Sequence, residues 1–292
     1  MTEINGSRTR RAEAGLVVVA VVWGATFTLT KAALAHIDAS SFLFLRFGIA
    51  ALALALYMAL SSGLTGLEPT RADLKWGLVL GGLMWIGYFS QTEGLRFVSA
   101  SVSGLLTGLS VVIVPFASRL FNRPVHKRAV AASIIALAGS ALVAGFGRIG
   151  NPEGVVLTLV CAIAFALQIA VTDLCIGFTD ARRLVLIQLS VVALLSLLGA
   201  SFNGVNVAVA VTAIGQPSVA AALFVNALLG TTVAYLVQTH VQRILSATQV
   251  GVIVSLEPGF ALIVSWLVGY VPTGLEVVGA CLILAGVVFA SL

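Results

Sequence analysis

The sequence predicts an all-α integral membrane protein with ten transmembrane helices, arranged as two inverted five-helix repeats with both termini in the cytoplasm. Three observations lead to this fold class: an apolar composition, ten apolar runs of spanning length, and one motif that occurs twice. Of 292 residues, 60% are apolar and only 9% are charged, whereas soluble domains carry roughly 25% charged residues. So few charges cannot cover a water-facing surface, and lipid must therefore solvate most of the chain.

The apolar runs give the elements in chain order. A helix needs roughly 20 residues to cross about 30 Å of hydrocarbon, and runs that are continuous rather than alternating favour helices over strands. The first run follows a basic start, as a secretory signal does, but its length exceeds a usual apolar core of roughly 7–15 residues, which favours a retained span. The runs are residues 15–35, 41–61, 74–95, 99–120, 128–146, 154–175, 183–202, 218–238, 248–269 and 274–291.

Lysine and arginine set the orientation. With the N-terminus in the cytoplasm, twelve of the sixteen fall in the N-terminal tail and the cytoplasmic gaps, and only Arg96 and Arg148 fall outside. Lys31 and Arg46 lie within runs. This positive-inside bias places both termini in the cytoplasm.

A repeated junction divides the chain into two units. YFSQTEGLRFVSA (88–100) and YLVQTHVQRILSA (235–247) share six of thirteen residues, and the 147-residue offset persists at Gly104/Gly251 and Leu109/Leu256. Five spans per unit, an odd number, would insert residues 1–148 and 149–292 in opposite senses. Pro115 and Pro258 are 143 apart, which predicts kinks that differ by about one turn. Inverted repeats are typical of alternating-access secondary transporters; a duplicated structural unit without transport is the alternative.

The motifs VVWGATFTLTKAAL, SSFLFLRFGIAALALAL, SLEPGFALIVSWLVG and LEVVGACLILAGVV resemble the drug/metabolite transporter superfamily, EamA type. The resemblance covers nearly the whole chain. It implies ten helices in two inverted repeats, export of small metabolites and a bacterial inner membrane; within the superfamily the chain resembles the aromatic amino-acid exporter group. Family members often carry Gly-Glu after the fourth and ninth spans, where this chain has Asn122-Arg123 and Gly269-Tyr270. A coupling role for those acids is therefore not expected here.

Counting 1.5 Å per residue gives each candidate residue a depth. The repeated motif falls near the outer end of span three and the inner end of span eight, which predicts gates at opposite mouths of the pathway. Anchoring at the lipid headgroups is the alternative, because Tyr favours that level. The candidate gating residues are Tyr88, Gln91, Thr92, Tyr235, Gln238 and Thr239.

A second set falls near mid-membrane, where such transporters bind their substrates. It mixes aromatic faces with hydrogen-bonding groups, as a site for a flat, amphipathic molecule would. Glu257 is the deepest acid and would bind an ammonium or carry a proton, or serve as a structural carboxyl beside Pro258. Lys31 is the candidate partner for a carboxylate, although Lys31 and Arg46 both fall toward outer helix ends, where pairing or snorkelling is an alternative. The set is Trp23, Thr26, Phe27, Lys31, Trp85, Thr107, Ser110, Phe165, Gln168, Asn226 and Glu257.

The sequence thus favours a secondary transporter that exports small organic metabolites, with amino acids, aromatic ones above all, as the expected cargo. Export of other metabolites or drugs, a channel and a membrane-embedded enzyme are the alternatives. Three scattered histidines argue against the enzyme. We expect no cofactor, metal or nucleic-acid partner, a monomer in lipid, and inert buried thiols at the three cysteines.

Overall fold

The computed structural model describes residues 2–125, 127–144, 151–202, 207–267 and 271–291. Every regular element in these ranges is helical. Arg148 and the Gly269-Tyr270 pair, which the sequence singled out, lie outside the described residues. The helices are α1 (Thr2–Ala33), α2 (Ala39–Ser62), α3 (Arg71–Phe97), α4 (Ala100–Gly108), α5 (Ser110–Leu120), α6 (Lys127–Ala144), α7 (Pro152–Cys175), α8 (Ala181–Phe202), α9 (Val207–Thr212), α10 (Pro217–Phe224), α11 (Ala234–Val241), α12 (Ala247–Val254), α13 (Glu257–Leu267) and α14 (Gly274–Ser291).

Seven helical segments of the described chain are long and apolar enough to cross a membrane. Two further apolar helices, Val130–Leu142 and Gly274–Phe289, are shorter. α3 has 27 residues but is not among the seven, and both of its ends carry charged residues. These helices fit a multi-pass membrane protein, while the count of ten crossings and the sidedness of the termini stay predictions. The seven are Ser7–Ala33, Ala39–Ser62, Val102–Leu120, Pro152–Cys175, Ala181–Phe202, Pro217–Val241 and Ala247–Val264.

Serines of the repeated motif begin the helices that follow it. The Ser99 hydroxyl accepts a hydrogen bond from the Val102 N–H at 3.2 Å, and the Ser246 hydroxyl accepts one from the Gln249 N–H at 3.4 Å. An N-cap serine satisfies an amide that has no partner inside the helix. One reason for the repetition is therefore local: each copy ends one helix and caps the next.

Two spans are interrupted at equivalent positions. The break between α4 and α5 falls at Leu109, and the break between α12 and α13 at Ser255 and Leu256. Leu109 and Leu256 are related by the 147-residue offset, so the prediction of kinks one turn apart is wrong. Proline removes one intrahelical hydrogen bond and fits the first turn of a helix, which is where Pro258 sits in α13. The repeat fixes the break, and the two prolines only flank it at different distances.

A π-helical segment, Val225–Val233, joins α10 to α11. It contains Asn226, Gly230 and Thr231, and the Gly230 carbonyl accepts a hydrogen bond from the Trp23 Nε1–H at 2.7 Å. π-Segments inside α-helices occur frequently at functional sites. The segment therefore contributes a backbone carbonyl to the contact with α1.

The contact between α6 and α14 is reciprocal. A Cβ added to Gly139 would lie 2.5 Å from the Gly279 carbonyl oxygen, and one added to Gly286 would lie 2.9 Å from that of Ala132. Both pairs of positions are related by the same 147-residue offset, so a local twofold relates the two helices. Glycine permits this approach because a side chain would collide with the facing backbone.

Two glycines of α3, four residues apart, permit close packing against α8. A Cβ at Gly77 would lie 2.6 Å from Ile187, and one at Gly81 would lie 2.6 Å from Val191, both on α8. Of the three cysteines, Cys161 and Cys175 are buried as expected, whereas Cys281 is exposed on α14. The expectation of a buried thiol is wrong there because α14 contacts the bundle along one face only.

Candidate substrate cavity

A cavity of about 50 Å³ lies in the middle of the bundle. By the same measure a water occupies roughly 10–15 Å³, so this conformation holds a few waters and no larger molecule. Seven of the eleven predicted substrate residues and four of the six predicted gating residues line it. The lining is Trp23, Thr26, Arg46, Tyr88, Gln91, Thr107, Gly108, Ser110, Phe165, Gln168, Ile169, Tyr235, Gln238, Val254, Ser255 and Glu257.

The two copies of the repeated motif meet at this cavity. The ring centroids of Tyr88 and Tyr235 are 6.1 Å apart, with a T-shaped arrangement. The prediction of opposite mouths is therefore wrong for these two tyrosines, whereas the far ends of the two copies, at Leu95 and Arg243, do lie at opposite ends of the bundle. Side chains of a helix lean toward its N-terminus, so the tyrosines of α3 and α11 both extend back from their helix ends toward the centre.

Aromatic rings pack around Tyr88 and Tyr235, which line the cavity. The Tyr88 ring packs edge-on against Phe47 at 4.9 Å and Phe165 at 5.0 Å, and Trp23 lies 5.5 Å from Tyr235. Edge-to-face pairs of this kind contribute about 0.5–1.5 kcal/mol beyond their buried area. The wall is therefore preorganised and presents both ring faces and phenol groups to the interior.

Arg46 is the main residue that the sequence placed wrongly. Its side chain is 3% exposed, its Nε–H donates to the Thr231 hydroxyl at 2.8 Å, and its guanidinium lies 4.5 Å from the centroid of Tyr88. No carboxylate pairs with it among the described residues. Arg46 lies seven residues after the start of α2, which is about 10 Å of helix. Its side chain therefore reaches the cavity instead of the interface. The sequence did indicate a functional role, because an arginine inside an apolar run is costly and usually functional.

Among the residues that the structure describes, Glu257 is the only acid that lines the cavity. It starts α13 directly after the break, and no hydrogen bond or ion pair to its carboxylate is found within the described part of the chain. Helix α1 approaches this point closely, because a Cβ at Gly24 would lie 2.8 Å from the Glu257 carbonyl oxygen. The cavity thus contains one guanidinium and one carboxylate, neither of which is neutralised by a protein partner of opposite charge within the described residues.

Amides supply the remaining polar groups. The Gln91 Nε2–H donates to the Thr107 hydroxyl at 3.1 Å. On the other side of the cavity, Gln238 donates to Gln168 at 3.3 Å and Gln168 donates to Gln188 on α8 at 3.1 Å. Each amide keeps further donor or acceptor capacity, so the wall can hydrogen-bond a polar guest without first losing its own contacts.

Six predicted residues lie outside the cavity lining. Phe27 and Thr92 are buried in the packing between helices, and Trp85 stacks on Phe89 at 5.2 Å. Asn226 is fully buried and donates to the Ala222 carbonyl at 2.8 Å, while Thr239 on α11 is also fully buried. The sixth is Lys31, whose Nζ donates to the Leu95 carbonyl at 2.6 Å.

The helix ends on either side of the cavity are tied together by different groups. At the end that Lys31 occupies, its ammonium joins α1 to the end of α3. At the opposite end, Arg123 pairs with Asp173 at 3.1 Å, and Arg243 donates to the Thr179 carbonyl at 2.8 Å. These contacts join neighbouring helices at both ends of the bundle. Among the described residues, no group of three or more His, Cys, Asp or Glu is placed to hold a metal ion.

A bundle of apolar helices around a small polar and aromatic cavity is consistent with a multi-pass membrane transporter. A model of the EamA-like transporter family matches residues 10–145 and 152–292. The chain belongs to this family, within the drug/metabolite transporter superfamily.

Two relatives show the extent of the similarity. An uncharacterized transporter of Archaeoglobus fulgidus is 30% identical over 289 residues, which cover 98% of this chain and 88% of the relative. A solved structure, described only as the crystal structure of a protein, superposes with a TM-score of 0.76 over 97% of this chain and 96% of its own, at 18% identity. The first relative supports transport, and the second supports the fold alone.

Proposed function

We propose that this protein is a secondary transporter that exports small zwitterionic metabolites, with aromatic amino acids as the favoured cargo. The observation that carries the proposal is the pair of opposite charges in one cavity. Arg46 offers a guanidinium, which suits a carboxylate, and Glu257 offers a carboxylate, which suits an ammonium. An α-amino acid carries an ammonium and a carboxylate on one carbon, so a single molecule can pair with Glu257 and Arg46 at once.

The aromatic wall favours a cargo with an apolar or aromatic side chain. Tyr88, Tyr235, Phe165 and Trp23 all line the cavity, and their ring faces suit stacking with a flat guest. The phenols and the glutamine amides supply the few directed hydrogen bonds that orientation needs. A purely apolar drug would displace water from the cavity and leave both charges unpaired beside it, which is costly.

Transport by alternating access fits the closed cavity and the local twofold. About 50 Å³ is too little for an amino acid, so the helices must part to admit one. We propose ten crossings in two inverted repeats, with both termini in the cytoplasm of a bacterial inner membrane. Rocking of one repeat against the other would then break the Lys31 tie or the Arg123–Asp173 tie in turn.

Glu257 also offers a route for coupling. A single carboxylate that holds a proton cannot at the same time neutralise an ammonium, so proton and cargo would compete for it. Such competition would couple export to an inward proton gradient. The protein would work as a carrier without covalent chemistry on its cargo.

The test is uptake and exchange in proteoliposomes that contain the purified protein. The panel pairs each amino acid with its decarboxylated amine and its deaminated acid, with and without a pH gradient. We expect saturable exchange that requires both charged groups and improves with an aromatic side chain. Equal transport of the amine and the acid analogues would overturn the zwitterion proposal, and non-saturable flux would indicate a channel.

A further inference from the structure

A second cavity lies at the arginine-rich end of the bundle. It is a groove of about 590 Å³ between the starts of α1 and α8 and the ends of α2 and α11. Arg8, Arg11, Arg182 and His240 are among its lining residues, and none of the side chains described along it is an acid. The nearby Asp180 carboxylate accepts backbone N–H groups of α8 instead. The groove is therefore strongly positive.

The arginines of the groove are available to a ligand. Arg8 and Arg11 are exposed, and no ion pair to a carboxylate is found for either among the residues that the structure describes. Arg182 donates through Nη1 to the Ser62 hydroxyl at 3.2 Å, which leaves most of its donors free. Three guanidinium groups around one groove match a phosphate, whose oxygens accept paired N–H donors.

The rest of the groove is apolar. Leu236, Val241 and Ile244 of the α11 region contribute to it, and Tyr57 of α2 stands at its edge with 57% of its surface exposed. Tyr is typical of the headgroup level of a bilayer. A free phosphate ion would leave this apolar surface uncovered, whereas an acyl chain would cover it.

We propose that this groove binds one anionic phospholipid of the membrane. Its phosphodiester would contact Arg8, Arg11 and Arg182, and one acyl chain would lie along the apolar surface of α11. Basic pockets between membrane helices bind anionic headgroups in this way. Because α1 and α11 also contribute Trp23 and Tyr235 to the central cavity, the lipid would hold together two helices that line the substrate site.

Native mass spectrometry of the full-length protein in detergent tests the proposal. Phosphatidylglycerol and phosphatidylcholine are titrated separately, and the affinity of the first bound lipid is measured. The groove variant is Arg8→Gln/Arg11→Gln/Arg182→Gln, and the matched control is Arg10→Gln/Arg71→Gln/Lys75→Gln, which removes equal charge from residues outside the groove.

We expect a preference for phosphatidylglycerol that falls about fivefold for each groove arginine removed, and so on the order of 100-fold for three, with little change in the control. Equal loss in both variants, or no preference between the lipids, would overturn the proposal. In a third experiment, inorganic phosphate competes with the bound lipid. Complete displacement of the lipid at millimolar phosphate would also overturn the proposal, because the groove would then be a site for phosphate alone. This experiment measures lipid binding and not transport. A negative result would therefore leave the proposed transport function unaffected, and a negative transport assay would leave the lipid site unaffected.

Discussion

Replacing Arg46 by Gln should weaken cargo binding strongly and leave the fold intact. Hydrogen bonds to charged groups contribute about 1.5–3 kcal/mol, so losing the guanidinium contact to a carboxylate should raise the dissociation constant about 10- to 150-fold. The protein itself loses the Thr231 bond and the stacking on Tyr88. An arginine inside the membrane costs about 2.5–3.5 kcal/mol, and the substitution removes this cost. Because the two effects oppose each other, we expect little change in thermal stability.

The assay is competition binding with phenylalanine and with phenethylamine, which has no carboxylate. Arg46→Gln should weaken the binding of phenylalanine and should leave the binding of phenethylamine nearly unchanged. Arg46→Lys should fall between, because an ammonium keeps the charge but not the paired donors. Arg96→Gln is the control, since Arg96 is exposed and pairs with Glu93. An equal loss for both compounds, or unfolding of the variant, would refute the assignment of Arg46 as the carboxylate partner.

The other predictions concern coupling, closure and packing. Glu257→Gln should lower amino-acid affinity about tenfold and abolish stimulation by a pH gradient in proteoliposomes; stimulation that persists would exclude it as the coupling group. Asp173→Asn removes the ion pair with Arg123, a partly exposed contact worth up to about 1 kcal/mol, and should raise labelling of an engineered cavity cysteine up to about fivefold, with unchanged labelling counting against a closing role. Gly139→Val forces a side chain into facing backbone and should cost about 1–3 kcal/mol of thermal stability in detergent; a stable variant would contradict the α6–α14 contact. Asp73→Asn should destabilise the protein by about 1–3 kcal/mol at pH 7, and the difference should shrink as the pH falls below about 4, whereas a pH-independent difference would argue against an ionic role.

The pH dependence of Asp73 follows from its surroundings at the start of α3. Burial tends to raise the pKa of this carboxyl, but N–H groups of Thr70 and Asp180 and the charge of Arg183 at 2.9 Å outweigh it, and the pKa lies below its ordinary value. A depressed folded pKa gives stability that is present above the unfolded pKa and is lost as the pH falls through the folded pKa. The asparagine of the variant cannot ionise, so its disadvantage is confined to the higher pH range.

The features of the fold that depend on patterns along the chain were predictable from the sequence. The runs of apolar residues gave the helices, because a helix in lipid must satisfy its own backbone over a fixed thickness. The offset of 147 residues relates Gly139 to Gly286, and each of these glycines lies against the backbone of the facing helix in the contact between α6 and α14. It also pointed to Tyr88 and Tyr235 as a related pair, although not to where they meet.

Depth in the bundle was not predictable by counting along straight spans. α3 has 27 residues and rises about 40 Å, more than the hydrocarbon thickness, so Tyr88 lies well inside its end. Arg46 was placed toward the outer end of its span because the apolar run begins only five residues before it, yet its side chain lines the cavity. Counting also ignores tilt and the direction in which side chains lean, and these decide which residues reach the centre.

The sequence by itself determined the membrane class, the helical runs, the repeat and the caps at Ser99 and Ser246, because each depends on neighbours along the chain. Only the tertiary structure decided that Arg46 and Glu257 share one cavity and that Lys31 does not. These residues lie on three different helices, and their meeting depends on how helices cross, where α12 breaks before α13, and how closely glycines let the backbones approach.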